Sequence, residues 1–206
     1  MDIYHLINRG VDKRKIFVDK QDHLRFIHDL FEFNNQEKVN NTYYSFRQSI
    51  NDVRRHYIET SRKARKTIID LLAFCLMPNH YHILVSPKVE GAISLFMKKV
   101  NGGYAKYFNA KYNMSGHVFQ GAYNAVHIED NNQLLYVSTY VHRNPRELRG
   151  WKNREGKYPW SSFLDYITAN RWGNLIKQDI ILDQFPQKVE YEKFVNESVA
   201  KNSSDL

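Results

Sequence analysis

The 206-residue chain holds a single cysteine, Cys75. One thiol excludes a disulfide framework and a cysteine-based zinc cluster. Cys75 lies in the apolar run Leu71 to Met77, where a small buried strand side chain is expected rather than a catalytic thiol. Apolar runs are short, and none approaches the roughly 18 residues of a membrane span. The opening Met1-Asp2-Ile3-Tyr4-His5 has neither the basic region nor the apolar segment of a secretion signal, so a cytoplasmic protein with no membrane partner is expected. No internal repeat is visible. Acidic residues are the minority of the charges, 22 against 30 Lys and Arg, for a formal net charge of +8.

What is present suits a globular protein. Hydrophobic residues make up 42%, enough for a core and too many for global disorder. One domain with an insertion is the default at this length. Aromatics reach 14%, with 14 tyrosines. Cations for phosphates and rings for unpaired bases together suggest a nucleic-acid partner, although a basic soluble surface has the same composition.

The hydrophobic pattern sets out the elements. Ile3 to Asn8 reads as a strand ended by Arg9-Gly10. Asp19 is placed to cap a helix from Lys20, whose Leu24, Ile27 and Phe31 recur at helical spacing. Residues 34–43 are polar and read as a loop. Residues 46–68 read as an inserted helix with a basic side that includes Arg47, Arg54, Arg55, Arg62 and Lys63. That side is either a phosphate-binding face or a solvated one. Leu71 to Met77 and Tyr81 to Ser86 are strands around a Pro78-Asn79 turn.

A long helix follows from Gly91 to Tyr112. Ile93, Met97, Val100, Tyr104 and Phe108 form its stripe, and Lys98, Lys99, Lys106 and Lys111 its basic side. Gly102-Gly103 inside it costs about 1 kcal/mol per residue relative to Ala, which points to a closely packed backbone or ligand. His117 to His127 has strand character broken at Gly121. Asn131 to Arg143 is helical, and Pro145 should end it because a residue before proline avoids the α region. The order β-α-(insertion)-β-β-α-β-α predicts an α+β, ferredoxin-like split βαβ: an antiparallel sheet with helices on one face, plus the helical insertion. Residues 175–206 are expected to form a C-terminal helical tail after a domain over 1–174.

The densest chemical signal is Pro78-Asn79-His80-Tyr81-His82-Ile83-Leu84-Val85. On a strand, i and i+2 share a face, so His80 and His82 present two imidazoles side by side while Tyr81 points the other way. Such a pair is half of a divalent-metal site, and it is also an ordinary arrangement on a solvated face. The second signal is the helix 131–144. Leu134, Val137 and Val141 form its apolar stripe, with Tyr136, Tyr140 and Asn144 in a row beside it. By spacing alone, Tyr140 is a packing residue as readily as a chemical one.

Together these segments resemble a known family. Met77-Pro78-Asn79-His80-Tyr81-His82 is similar to the metal motif of the HUH single-tyrosine transposases of the insertion-sequence type. Tyr140-Val141-His142-Arg143-Asn144-Pro145 resembles the tyrosine helix of their REP-associated branch. Ile7-Asn8-Arg9-Gly10 with Ile16-Phe17, Ser115 to Gly121, and Tyr158-Pro159-Trp160-Ser161-Ser162 are similar to its other segments, in the same order.

The resemblance implies cleavage and rejoining of single-stranded, hairpin-forming DNA through a 5′-phosphotyrosine. It implies Tyr140 as nucleophile, and His80, His82 and Asn144 as ligands of Mg²⁺ or Mn²⁺. Nucleic-acid contacts are expected from Arg9, Arg54, Arg55, Lys98, Lys99 and Lys106, with the active protein a monomer or a homodimer. Activity should fall below the ordinary His pKa near 6.5, since a protonated imidazole cannot ligate. Where the family often has Gly-Arg after its glutamine, this chain has Gly121-Ala122, so a phosphate or base contact there is absent or supplied elsewhere. His117, His127 and His142 lie outside the pattern. The alternatives are a domesticated, catalytically silent hairpin-binding protein, an RNA-binding module, and a water-activating metal hydrolase.

Overall fold

The computed structural model describes residues 1–37 and 65–201. Its elements run β1 (Ile3–Arg9), α1 (Lys20–Glu32), β2 (Ile69–Met77), β3 (His80–Pro87), α2 (Ala92–Tyr112), β4 (Asn124–Ile128), α3 (Asn131–Arg143), α4 (Phe163–Ile167), α5 (Asp179–Leu182) and α6 (Lys188–Glu197). The strands form one sheet in the order β2-β3-β1-β4, every pair antiparallel. With α1 between β1 and β2, and α2 between β3 and β4, this is the expected split βαβ.

Strand alternation divides the sheet into two faces. On one, Leu6, Tyr81 and Ile83 pack under α1 and α2; the Tyr81 ring lies 4.9 Å from that of Phe26, and its hydroxyl donates to Asn101 Oδ1 at 2.8 Å. Truncating such a buried ring to Ala costs about 3–5 kcal/mol. The other face carries His5, Ile7, Arg9, His80, His82 and Leu84. The expectation of helices on one face holds for α1 and α2, while α3 covers this second face. The reason is legible in β2, Ile69–Met77, which is buried almost throughout and so needs a layer on each side.

Local chemistry sets the element ends. Asp19 Oδ1 accepts from the Asp22 backbone N–H at 3.1 Å, and Asp22 Oδ2 accepts from that of Asp19 at 3.2 Å, forming a capping box. The buried Asp22 carboxylate also accepts from Tyr107 and Tyr112 and pairs with Lys111 at 2.7 Å, tying α1 to the last turns of α2. The outer edge of β2 is covered rather than open. The Leu76 N–H donates to Trp160 O at 2.9 Å, the Ser162 N–H to Phe74 O at 3.0 Å, and the Lys177 N–H to Leu71 O at 2.8 Å. Arg143 on α3 donates to Ala200 O (2.9 Å), Val195 O (2.7 Å) and Asn196 O (2.8 Å), so the 175–201 segment lies against α3.

Four expectations change. The inserted helix does not reach residue 68: residues 65–68 are non-helical, and β2 begins at Ile69. The rest of the insertion, with Arg47, Arg54, Arg55, Arg62 and Lys63, lies outside the described residues. Residues 117–123 are irregular apart from a bridge between Gly10 and Phe119, and only Asn124–Ile128 extends the sheet. The close approach at Gly103 is a ring and not a backbone, since a Cβ there would meet Phe33 Cε2 at 2.5 Å; Gly102 faces open space. The helix α3 ends at Arg143 as expected, but Asn144 itself keeps φ −48° and ψ −40° despite Pro145, because the chain tightens into a 3₁₀ turn over Asn144–Glu147 that accepts proline near its start. Among the described residues, no helix is long and apolar enough to cross a membrane.

Candidate active site

The site is built where the second face of β3 meets the C-terminal half of α3. Alternation along β3 turns His80 and His82 to this face, their ring centroids 5.0 Å apart, with Met77 and Cys75 opposite them on β2. Burial makes Cys75 an inert neighbour and raises its thiol pKa. From α3, the Tyr140 ring stands edge-on to His82, with centroids 5.5 Å apart. Asn144, one turn later, donates through Nδ2 to Tyr140 O at 2.8 Å. Three of the four residues expected to do chemistry come from two elements distant in sequence, and the fold brings all four together.

Hydrogen bonds prepare the rings. His80 Nδ1 lies 2.7 Å from Asn79 Oδ1, and the Asn79 amide is oriented by donation from Nδ2 to Lys13 O at 3.3 Å. A carbonyl oxygen only accepts, so His80 carries its proton on Nδ1 and keeps the Nε2 lone pair. His82 Nδ1 is engaged by His5, at 2.9 Å from His5 Nε2. Burial, and then the Arg9 cation, push the His80 pKa down to about 4. Burial, and then Lys201, bring His5 to about 4. Burial followed by repulsion from His5 and His80 puts His82 well below 6.5. All three rings are neutral at pH 7, the form that can ligate a metal.

Asn144 supplies the test of fit. Its Oδ1 is buried and accepts no hydrogen bond, an arrangement that costs about 1–3 kcal/mol if left alone. The amide lies near enough to His80 to favour the protonated ring slightly, but it makes no hydrogen bond with it. Two neutral imidazoles and an orphaned amide oxygen fit a divalent cation that takes nitrogen and oxygen donors. Among the described residues, no group of three or more His, Cys, Asp and Glu side chains could hold a metal ion, so a cation here would take its third protein donor from the amide.

Two contributors are absent from the expected list. His5 on β1 touches both His82 and Tyr140, its ring 5.9 Å from the latter. Alternation puts it on one face with Ile7 and Arg9, and the register of β1 against β3 brings it to His82. Lys201 arrives from beyond α6: its Nζ lies 4.3 Å from the Tyr140 ring centroid and 2.6 Å from Glu147 Oε1. Burial opposes its charge, but Glu147 and Tyr140 outweigh burial and raise its pKa. No sequence signal links Lys201 to Tyr140.

The expected DNA-contact residues divide. Arg9 is exposed and pairs across the strands with His80, at the rim of the site. Lys98, Lys99 and Lys106 sit on α2, in the layer under the opposite face, and Lys99 donates to Asn35 O at 2.8 Å. The fold does not bring them to the histidines. Arg54 and Arg55 lie outside the described residues. Tyr136 is 52% exposed, one turn before Tyr140. His117 and His127 are exposed, and His142 is in the core.

Residues 38–144 match the family model described as "Transposase IS200 like". A solved structure, the REP-associated tyrosine transposase bound to a REP hairpin, aligns with a TM-score of 0.48 at 11% identity, over 87% of this chain and 86% of that one. No curated relative matches the chain in sequence.

Proposed function

The chain belongs to the IS200-like transposase family, and from that premise we propose that it is a metal-dependent enzyme that cleaves and rejoins single-stranded DNA through Tyr140. The observation that carries the reading is the convergence of Tyr140, two neutral histidines and an unsatisfied amide oxygen on one face.

In the first step the Tyr140 hydroxyl gives up its proton to solvent and its oxygen attacks the phosphorus of a backbone phosphodiester. The bond from phosphorus to the 3′ oxygen breaks, that oxygen leaves as a 3′-hydroxyl after taking up a proton, and the 5′ end stays as a phosphotyrosine. In the second step a 3′-hydroxyl attacks the same phosphorus and loses its proton, and Tyr140 leaves and is reprotonated. His80, His82 and Asn144 would hold Mg²⁺ or Mn²⁺, which when bound polarises the phosphate and offsets the charge growing on its non-bridging oxygens. Lys201, paired with Glu147, stands with its ammonium against the Tyr140 ring, a cation beside the position of the reacting phosphate. Arg9, exposed and paired across the strands with His80, stands where it can meet a DNA phosphate.

A hairpin-bearing single-stranded oligonucleotide is the first substrate to offer. Incubated with Mn²⁺, the protein should form a denaturation-resistant adduct that maps to Tyr140 by peptide mass spectrometry. If none forms with any single-stranded substrate while hairpin DNA still binds, the chain is a domesticated binder.

A further inference from the structure

His5 lies on the same face of β1 as Ile7 and Arg9, and Ile7 is the register partner of His82. His5 is therefore diagonal to His82, and the two rings stack at 5.1 Å with 25° between their planes. Their closest nitrogens, His5 Nε2 and His82 Nδ1, are 2.9 Å apart and buried. Two neutral imidazoles in that contact share one proton, which gives two arrangements. If His5 Nε2–H donates, His82 must carry its own proton on Nε2 and has no outward lone pair. If His82 Nδ1–H donates, His82 Nε2 is free to ligate. His80 has no such ambiguity, because Asn79 Oδ1 can only accept.

We propose that His5 is a positioning residue that accepts the Nδ1 proton of His82 and so presents His82 Nε2 to a divalent metal. The inference rests on the metal-site reading above. Ligating histidines ordinarily donate their second ring N–H to a fixed acceptor, and loss of that acceptor costs 10- to 100-fold in metal affinity. Here the acceptor is another imidazole. It also packs against the Tyr140 ring, so one side chain orients a ligand and borders the nucleophile.

Long-range ¹H–¹⁵N spectra of the metal-free protein read the tautomer directly: His82 should carry its proton on Nδ1, and a proton on Nε2 overturns the proposal. Mn²⁺ titration followed by electron paramagnetic resonance then compares three proteins. His5→Phe keeps a ring but removes the acceptor, and should bind Mn²⁺ about 10- to 100-fold more weakly. His5→Gln places an amide oxygen near the Nε2 position and should stay within about threefold of wild type. Equal affinity in wild type and His5→Phe overturns the role of His5 and leaves the metal site standing. No Mn²⁺ binding by wild type overturns the metal site and this role together. If His5→Phe does not fold, the wild-type tautomer and the affinity of His5→Gln decide, and an Nε2 proton or a 10-fold loss in His5→Gln overturns the role.

Discussion

His142 and His80 are two imidazoles on the α3 side of the sheet, and burial depresses the pKa of both, to about 3 and about 4. What meets their nitrogens separates them. His142 has Nδ1 2.7 Å from the Tyr191 hydroxyl and Nε2 2.9 Å from Ser162 Oγ, which links α6, α3 and the segment along β2. His80 has Nδ1 held by Asn79, and among the described residues its Nε2 makes no hydrogen bond. A ring with both nitrogens satisfied by protein is a structural joint. A ring with one nitrogen fixed, beside an orphaned amide oxygen, is what the proposed metal site requires. The direction of the pKa shift would not have told them apart.

The largest effect that tests this difference is at the nucleophile. Tyr140→Phe should leave the protein folded and able to bind Mn²⁺ but lower adduct yield by on the order of a thousandfold or more, because the attacking oxygen is gone. Tyr136→Phe, at an exposed position, should form the adduct normally. Adduct in the first variant and none in the second would move the nucleophile one turn.

Next come the histidines themselves. His80→Ala should weaken Mn²⁺ binding about 100-fold or more with little change in melting temperature, as a ligand at the rim adds little to the core. His142→Ala should do the reverse: it empties a buried site and removes the ring's hydrogen bonds to Ser162 and Tyr191, costs about 2–4 kcal/mol by denaturant unfolding, and has only a small effect on metal affinity. Equal loss of stability in both variants would erase the distinction.

Acid should act on both rings through folding. Their pKa values are lowered by burial, so the unfolded chain binds more protons between the ordinary value of 6.5 and the folded values of about 4 and 3. Stability should be full above pH 6.5 and fall progressively toward pH 3–4, and His142→Gln should remove part of that slope in urea midpoints measured against pH. The same shift corrects the expected pH limit of the site. His80 stays neutral well below pH 6.5, so Mn²⁺ binding should persist at pH 5.5 in any protein that remains folded.

The smallest effect concerns DNA phosphates. Arg9→Gln should lower the slope of log affinity against log salt by about one unit for a single lost contact. Lys98→Gln with Lys106→Gln, in the layer under the other face, should change it less. A larger change from the α2 pair would place the DNA on that layer instead.

The readable parts of this site are those that depend on neighbours along one element. His80, Tyr81 and His82 alternate by the geometry of a strand, and Tyr140 and Asn144 stack by the pitch of a helix, so their faces followed from spacing. Capping by Asp19 followed from side-chain chemistry for the same reason. The basic side of α2 was legible as a face, but nothing in the spacing told which side of the sheet that helix would cover, and Lys98, Lys99 and Lys106 lie away from the histidines. His5 needed the register of β1 against β3, which cross-strand packing selects. Lys201 needed the fold of the C-terminal segment, held by the Arg143 guanidinium on three backbone carbonyls.

By itself the sequence determined the alternating strands, the capped helices, the split βαβ order and the short segments that resemble one family, because propensity, capping and periodicity act over a few residues. The tertiary structure decided which nitrogens find partners. His142 and His80 are both histidines in apolar surroundings, and only long-range packing delivers Tyr191 and Ser162 to one while leaving the other facing Asn144. A hydrogen bond requires a partner within about 3 Å, and residues distant in sequence are brought to that separation by the core as a whole.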